Sequence, residues 1–204
     1  MIKTIIFDLG EVLVSDAVIY YLNNLADFTD VLELAGITRE KSKEIWSKYW
    51  PDAKFGRTDI DTFWNEFYEH ITTDATPAEV KALYDSKIIM DQEVYSFIKN
   101  LKKQYPLLAI ANETKSGIKL KLDKFKLDKL FDKIYCSALL GMAKPNKDIY
   151  EFVLKNADIK AEESIYIDNQ IENVEAAKEL GFQAIHYQSL SQLKQDLSAL
   201  GLTF

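Results

Sequence analysis

The sequence of 204 residues has few of the residues that would indicate a secreted, fibrous or linker-rich protein. Its single cysteine, Cys136, excludes an internal disulfide and is typical of a reducing compartment, so we expect a cytoplasmic location. The 7 glycines and 4 prolines are too few for a collagen-like chain or for long flexible linkers.

Positive charge and long apolar runs are also scarce. The sum of Lys and Arg is 25 against 32 for Asp and Glu, which gives a net charge of −7, and Arg39 and Arg57 are the only arginines. A negative chain repels nucleic acid and anionic lipid, so we expect neither a nucleic-acid nor a membrane partner. No apolar run approaches the roughly 18 residues that a membrane-spanning helix needs.

The remaining composition, 48% hydrophobic and 28% charged residues, is that of a packed globular protein. Short apolar runs end in polar residues at five places, a pattern typical of buried parallel strands. We predict strands at residues 3–9, 107–111, 133–137, 164–168 and 183–187, with helices following most of them. This alternation predicts an α/β fold with a Rossmann-like parallel sheet and helices on both faces.

Residues 15–87 interrupt the alternation. The segment is helical in pattern and rich in aromatic residues such as Trp46, Trp50, Phe63 and Trp64. Aromatic residues at helical spacing are more typical of a helix-bundle core than of a ligand site. We therefore predict a core domain formed by residues 1–14 and 88–204, with a helical cap domain, residues 15–87, inserted between its two parts.

Four polar residues follow different predicted strands. Asp8, Asn112 and Asp168 lie at strand ends and Lys144 lies in a following loop. Parallel sheets bind ligands at the carboxyl ends of their strands. There Asp8 is suited to nucleophilic attack, Asp8 and Asp168 together to binding Mg²⁺, and Lys144 to attracting a phosphate.

These residues belong to four ordered motifs that resemble those of the haloacid dehalogenase-like hydrolase superfamily. The resemblance spans the whole chain, and residues 15–87 are similar to that family's helical C1 cap. The subgroup with Asp-Leu-Gly-x-Val in its first motif, which includes sugar-phosphate phosphatases, is the most similar. The motifs are Phe7-Asp8-Leu9-Gly10-Glu11-Val12-Leu13, Ile110-Ala111-Asn112, Lys144-Pro145, and Ile167-Asp168-Asn169 followed by Asn173-Val174-Glu175-Ala176-Ala177.

The resemblance implies a Mg²⁺-dependent phosphatase of small phosphorylated metabolites. Asp8 matches the nucleophile that forms an aspartyl-phosphate, and Lys144 matches the lysine that contacts both nucleophile and phosphate. The metal ligands implied are Asp8, the Gly10 carbonyl and Asp168. Asn112 is expected to contribute to substrate binding. The oligomeric state is left open.

Three departures from the family pattern affect this expectation. Gly10 stands where phosphatases have a second Asp, and so removes a general acid and base often worth about 10²–10⁴ in rate. Ala111 replaces a hydroxyl residue that contacts phosphate, and Asn169 replaces a second carboxylate. The neighbouring carboxylates Glu11 and Glu113 are candidates to compensate.

Two other functions remain open at this point. A phosphate-binding or regulatory protein that has lost turnover is compatible with Gly10 and Ala111. A dehalogenase-type hydrolase acting at carbon is compatible with Gly10, because that chemistry needs no metal. A carboxylate substrate would need an arginine from the cap, and Arg57 is the candidate for binding it.

Overall fold

The computed structural model describes residues 1–15 and 28–204. In chain order the strands are β1 (Thr4–Phe7), β2 (Val14–Ser15), β3 (Ile89–Met90), β4 (Leu107–Ala111), β5 (Lys133–Cys136), β6 (Ser164–Asp168) and β7 (Gln183–His186). The α-helices are α1 (Thr29–Ala35), α2 (Arg39–Ala53), α3 (Ile60–Glu69), α4 (Pro77–Lys87), α5 (Gln92–Leu101), α6 (Lys115–Phe125), α7 (Ser137–Leu140), α8 (Lys147–Ala157), α9 (Ile171–Glu179) and α10 (Leu190–Ala199). Within these described ranges, no helix combines the length and the apolar content needed to cross a bilayer.

The main sheet confirms the predicted α/β core. Its five strands are all parallel and lie in the order β5-β4-β1-β6-β7. Residues of β1, β4 and β6 are buried along their whole length, as parallel strands covered by helices on both faces require. Strand β1 is central, so the residue after it lies between the ends of β4 and β6.

The two faces of the sheet have separate hydrophobic clusters. Ile5 and Phe7 belong to one cluster, whereas Ile6 and Tyr166 belong to the other. Successive side chains of a strand point to opposite faces, so an apolar run fills both layers at once. This arrangement explains why these strands are continuous apolar runs with no polar alternation.

Strand β1 ends two residues earlier than the predicted range of 3–9. Asp8 still donates its amide hydrogen to the Ile167 carbonyl at 2.8 Å, but the chain then turns. In that turn the Val14 amide donates to the Leu9 carbonyl at 2.9 Å. The local turn satisfies backbone groups that a longer strand would have used in the sheet.

The described helices before β3, α1 to α4, pack around an aromatic core of their own, and this group is called the cap below. The Phe63 ring lies near its centre, with ring centroids 5.4 Å from Trp46 and 5.0 Å from Trp64, both edge to face. Such edge-to-face pairs are favoured by the ring quadrupoles. Residues 16–27 of the predicted cap lie outside the described residues.

A short antiparallel pair joins the cap to the core. Val14 pairs with Met90 and Ser15 pairs with Ile89, so the chain leaves and re-enters the core side by side. We propose that this pair marks the domain boundary, near residues 14 and 88, because the chain on either side packs into different hydrophobic clusters.

The cap also approaches the core closely at Gly56. Its φ is +68°, and a Cβ added there would lie 2.1 Å from the backbone oxygen of Ala138. Only glycine tolerates both this left-handed conformation and this proximity. Gly141 has a similar φ of +71°, but no atom lies within 4 Å of the corresponding Cβ position.

We therefore expect Gly56→Ala to destabilise the protein more than Gly141→Ala. The left-handed conformation costs each variant about 1–2 kcal/mol, and only Gly56→Ala adds a collision with a backbone oxygen. Chemical denaturation of both variants should give a difference of at least about 1 kcal/mol in the free energy of unfolding. Equal losses would show that the cap does not depend on this close approach.

Candidate active site

The carboxyl ends of β1, β4 and β6 meet at a cavity of about 520 Å³. Asp8 follows β1, Asn112 follows β4, and Asp168 is the last residue of β6. Asp8, Gly10, Asn112, Lys144 and Asn169 line the cavity. Asp168 lies directly behind this lining and is fully buried.

Lys144 joins the two aspartates. Its Nζ donates to Asp8 Oδ1 at 2.7 Å and to Asp168 Oδ2 at 2.7 Å. The exposed fractions are 7% for Asp8, 2% for Lys144 and 0% for Asp168. The sequence places these residues up to 160 positions apart, and the fold brings their charged atoms into direct contact.

The three charges change one another's acidity. Burial raises the pKa of Asp8 to about 6; Lys144 opposes this rise and Asp168 adds to it. Burial alone would lower the pKa of Lys144, but the adjacent Asp168 and Asp8 carboxylates raise it above its ordinary value. Lys144 is therefore a permanent cation at the floor of the cavity.

Hydrogen bonds occupy both oxygens of Asp168. Oδ2 accepts from the Tyr166 hydroxyl at 2.5 Å, in addition to Lys144. Oδ1 accepts from the Gln170 amide at 2.8 Å, and the Asn173 side chain donates to both oxygens. Five donor contacts make Asp168 a fixed anchor for the Lys144 ammonium.

Asn112 fixes the loop that carries Lys144. Its Nδ2 donates to the Lys144 carbonyl at 2.9 Å, and its Oδ1 accepts from the Lys144 amide at 2.9 Å. Both polar atoms of the Asn112 side chain are thus bound to the backbone of one residue. Asn112 lines the cavity, but this geometry makes it first a positioning residue for Lys144.

Asn169 presents an unsatisfied oxygen at the same place. It is half-buried and lines the cavity, and its Oδ1 is buried with no hydrogen-bond partner among the described residues. Its backbone carbonyl contacts His186 Nε2 at 3.0 Å. A buried oxygen without a donor is unusual and indicates a site for a ligand, a water or a cation.

Glu113 is already engaged by its neighbours. Its carboxylate forms a buried ion pair with Lys121 and accepts the Thr114 amide hydrogen at 2.7 Å. The Glu113 amide donates to Ser137 Oγ at 3.0 Å. The Glu113 carboxylate and the amides of Glu113 and Thr114 are therefore used in contacts within this turn. They do little to replace the hydroxyl missing at Ala111 or the carboxylate missing at Gly10.

Comparison with known families agrees with the motifs and the fold. Residues 5–187 match the model of the haloacid dehalogenase-like hydrolase family. The chain belongs to this family. It is therefore a haloacid dehalogenase-like hydrolase, as the sequence motifs indicate.

Two relatives that match nearly the whole chain of this hydrolase are distant in sequence. The D-ribitol-5-phosphate phosphatase of Bacteroides thetaiotaomicron is 23% identical over 211 residues, which cover 98% of this chain and 98% of that protein. The drimenol cyclase drtB of Aspergillus calidoustus is 24% identical over 203 residues, covering 97% of this chain. The chain spans only 36% of that cyclase.

A solved structure shares the fold over nearly the whole chain. It is a family enzyme from Bacteroides thetaiotaomicron in complex with magnesium and inorganic phosphate, with a TM-score of 0.76 and 20% identity. The aligned region covers 95% of this chain and 99% of that one. At this identity the likeness concerns the fold.

Three cap residues of this hydrolase line the cavity opposite Asp8, and sequence reasoning did not single them out for the site. They are Trp46, Trp50 and Lys54. The two tryptophans stack with centroids 4.9 Å apart and an interplanar angle of 16°. Their spacing of four residues on one helix is the signal in the sequence, because positions i and i+4 share a helix face.

Arg57 is not brought to this cavity. It lines a separate cavity beside α6, its side chain is 64% exposed, and Nη1 lies 3.5 Å from Asp52 Oδ1. Its guanidinium lies over the Phe55 ring, 4.5 Å from the centroid. These two neighbours direct Arg57 to the surface of the cap, away from Asp8.

We predict that Lys144→Met destabilises the metal-free hydrolase by about 3–5 kcal/mol at neutral pH. Methionine keeps most of the side-chain volume but leaves two buried carboxylates without their cation. Denaturation in the presence of a chelator measures the loss. Lys147→Met is the matched control, because Lys147 pairs with Glu179 at 2.8 Å on the surface with exposed fractions of 53% and 63%. Similar stability of the two variants would contradict the assigned role of Lys144.

Proposed function

We propose that this hydrolase is a Mg²⁺-dependent phosphatase that acts on small phosphorylated metabolites through Asp8. The observation that supports this most strongly is the Lys144 ammonium, held 2.7 Å from the carboxylate of Asp8 at the floor of a cavity. A carboxylate nucleophile and a fixed cation at one point are what phosphoryl transfer requires.

In the first step, a carboxylate oxygen of Asp8 forms a bond to phosphorus. The bond between phosphorus and the alcohol oxygen breaks, and its electron pair stays on that oxygen, which takes a proton from water. In the second step, a water oxygen forms a bond to the phosphorus of the aspartyl-phosphate, and the bond between phosphorus and the Asp8 oxygen breaks with its electron pair on the carboxylate. The proton that this water loses neutralises the hydroxide left by the first step. The products are the alcohol and inorganic phosphate.

Two lysines favour the approach of a phosphate. Lys144 neutralises part of the negative charge at Asp8, so that two anions can meet. Lys54, half-buried in the cap, lines the same cavity from the opposite side. Cations on both sides of the cavity also hold the phosphoryl group in place while the organic part leaves.

The residues at the cavity fit a magnesium ion. Among the described residues no cluster of three or more His, Cys, Asp or Glu side chains is arranged for a metal, so the ligands must include other oxygens. We propose the Asp8 carboxylate, the Gly10 carbonyl and the unpartnered Oδ1 of Asn169, with waters completing the shell. Bound there, Mg²⁺ would neutralise charge on the phosphoryl oxygens.

Asp168 has a different place in this proposal. The sequence predicts it as a direct ligand, and that remains a prediction. The five hydrogen-bond contacts to its oxygens and its complete burial favour a role as the anchor of Lys144, which also supplies negative charge close to the cation.

The proposed phosphatase activity draws support from the relative of matching length that is named a D-ribitol-5-phosphate phosphatase. Because Gly10 supplies no acid, we expect good leaving groups to react faster than simple alkyl groups. The net charge of −7 favours a small-molecule substrate over nucleic acid, and the lone thiol of Cys136 supports a cytoplasmic location.

The function is tested with a panel of phosphate monoesters, with and without Mg²⁺. We expect metal-dependent release of phosphate that Asp8→Asn lowers by at least about 10³-fold, because the amide is a far weaker nucleophile. Circular dichroism verifies that the variant is folded. Phosphate binding without turnover in the wild type would identify a binding protein instead. Halide release from haloacids without metal would identify hydrolysis at carbon.

A second experiment tests the metal ligands by calorimetric titration of Mg²⁺ without substrate. We expect Asn169→Ala to weaken binding by about tenfold or more, and Asn169→Asp to tighten it because a carboxylate replaces the amide. Asp168→Asn is the comparison, checked for folding by its thermal midpoint. Loss of binding in Asp168→Asn with none in Asn169→Ala would assign the ligand role to Asp168.

A further inference from the structure

A second cavity, of about 180 Å³, lies between the cap and α6, beside the cavity at Asp8. The two share four lining residues, Trp46, Trp50, Glu113 and Lys121. The second cavity is therefore next to the place where a phosphate would be bound. Nothing in the proposed chemistry at Asp8 uses it.

The walls of the second cavity are largely apolar. Phe63, Trp64 and Ile88 are buried core residues of the cap and of its junction with the core, and Leu120 faces them from α6. The size is close to that of an engineered apolar cavity of about 150 Å³ that binds benzene. The space thus suits one ring or a short hydrocarbon chain.

Four of the five charged residues around this cavity form two ion pairs, and the fifth, Asp61, is exposed at its edge. Glu113 and Lys121 form a buried ion pair. Lys81 Nζ lies 2.5 Å from Asp85 Oδ1, and the same ammonium is 5.5 Å from the centroid of the Trp64 ring. Because each of these four paired groups already has an oppositely charged partner, they form few further hydrogen bonds with the hydroxyl groups of a ligand.

A residue shared by the two cavities has an unpartnered polar atom. The indole Nε1 of Trp46 is buried and has no hydrogen-bond partner among the described residues. Trp46 itself lines both cavities and so lies between the proposed place of the phosphate and the apolar space. A ligand that enters both cavities would have an oxygen at the ester linkage and carbon beyond it.

We propose that the second cavity binds the alcohol part of the substrate, and that this part is apolar, with about six to eight carbons in a chain or ring. The inference rests on the proposed phosphatase function and narrows its substrate class. A polyol would be disfavoured, because most of its hydroxyl groups would lose water against aromatic and aliphatic walls.

The first test measures binding of phosphonates, which the enzyme cannot hydrolyse, by calorimetry in the presence of Mg²⁺. We compare methylphosphonate, hexylphosphonate and 2,3-dihydroxypropylphosphonate. Each methylene that enters an apolar cavity tightens binding by about threefold to fourfold, so hexylphosphonate, with five more methylenes than methylphosphonate, should bind about 10²–10³-fold more tightly. The dihydroxypropyl compound should bind no more tightly than methylphosphonate. Equal affinities for all three would overturn the proposal.

Variants on α6 test whether the hexyl chain binds in the second cavity. Leu120→Asn puts an amide of similar size into the cavity wall and should remove most of the advantage of hexylphosphonate, with methylphosphonate binding unchanged. Leu122→Asn is the matched control, since Leu122 is equally half-buried on the same helix but does not line the cavity. If Leu120→Asn does not fold, Ser116→Phe fills the cavity from an exposed position and should have the same effect. If hexylphosphonate still binds more tightly than methylphosphonate by the same factor in the folded variants, the hexyl chain lies elsewhere and the proposal is wrong.

Turnover separates this inference from the function on which it rests. Hexylphosphonate selectivity that depends on Leu120, without hydrolysis of hexyl phosphate or of phenyl phosphate, whose alcohol is the better leaving group, would support the apolar site and contradict the phosphatase. Hydrolysis of hexyl phosphate and glycerol phosphate with equal kcat/KM, together with equal phosphonate affinities, would support the phosphatase and contradict the apolar site.

Discussion

The ammonium of Lys144 between two buried carboxylates is the interaction on which the whole site depends. Burying a charge away from water is strongly unfavourable unless opposite charges and hydrogen bonds surround it. Here the Lys144 ammonium forms an ion pair with each carboxylate, so all three buried charges have an opposite charge in contact. Pairs of this kind contribute little net stability compared with apolar packing. Their value lies in holding Asp8 in one position at the cavity, so that little reorganisation is needed when phosphate arrives.

The same interaction explains the polar residues around it. Asn112 binds the backbone of Lys144 at both its amide and its carbonyl, and Tyr166 and Asn173 bind Asp168 from behind. Each of these side chains reduces the freedom of a charged group and leaves the reacting face of Asp8 to the cavity. The aligned strands β1 and β6 place the two aspartates side by side, so the sheet itself sets their distance.

The sequence predicted the sheet well because parallel strands covered on both faces are continuous apolar runs with few alternatives. It also predicted that Asp8, Lys144 and Asp168 would meet, since strand ends converge at one edge. It names Asp168 as a metal ligand, which stays a prediction. The unpartnered oxygen of Asn169 is visible only in the structure, because the directions of adjacent side chains cannot be read from a sequence. The helical spacing of Trp46 and Trp50 predicts a place in the core of the cap, because aromatic residues have the same spacing on a helix in a core and in a cavity wall. Charge alone makes Arg57 the candidate for binding a carboxylate substrate. Charge does not indicate whether the partner is a substrate or, as in the structure, Asp52.

The stacked pair Trp46 and Trp50 belongs to the walls of both cavities, whereas Leu120 and Ser116 on α6 belong only to the second. Changes at the tryptophans would thus alter recognition of the phosphate and of the organic group together. Changes at Leu120 or Ser116 would alter recognition of the organic group without altering that of the phosphate. During divergence of such enzymes, new specificities should therefore arise more readily on that core helix than on the tryptophan face of the cap, even though the cap forms most of the apolar wall.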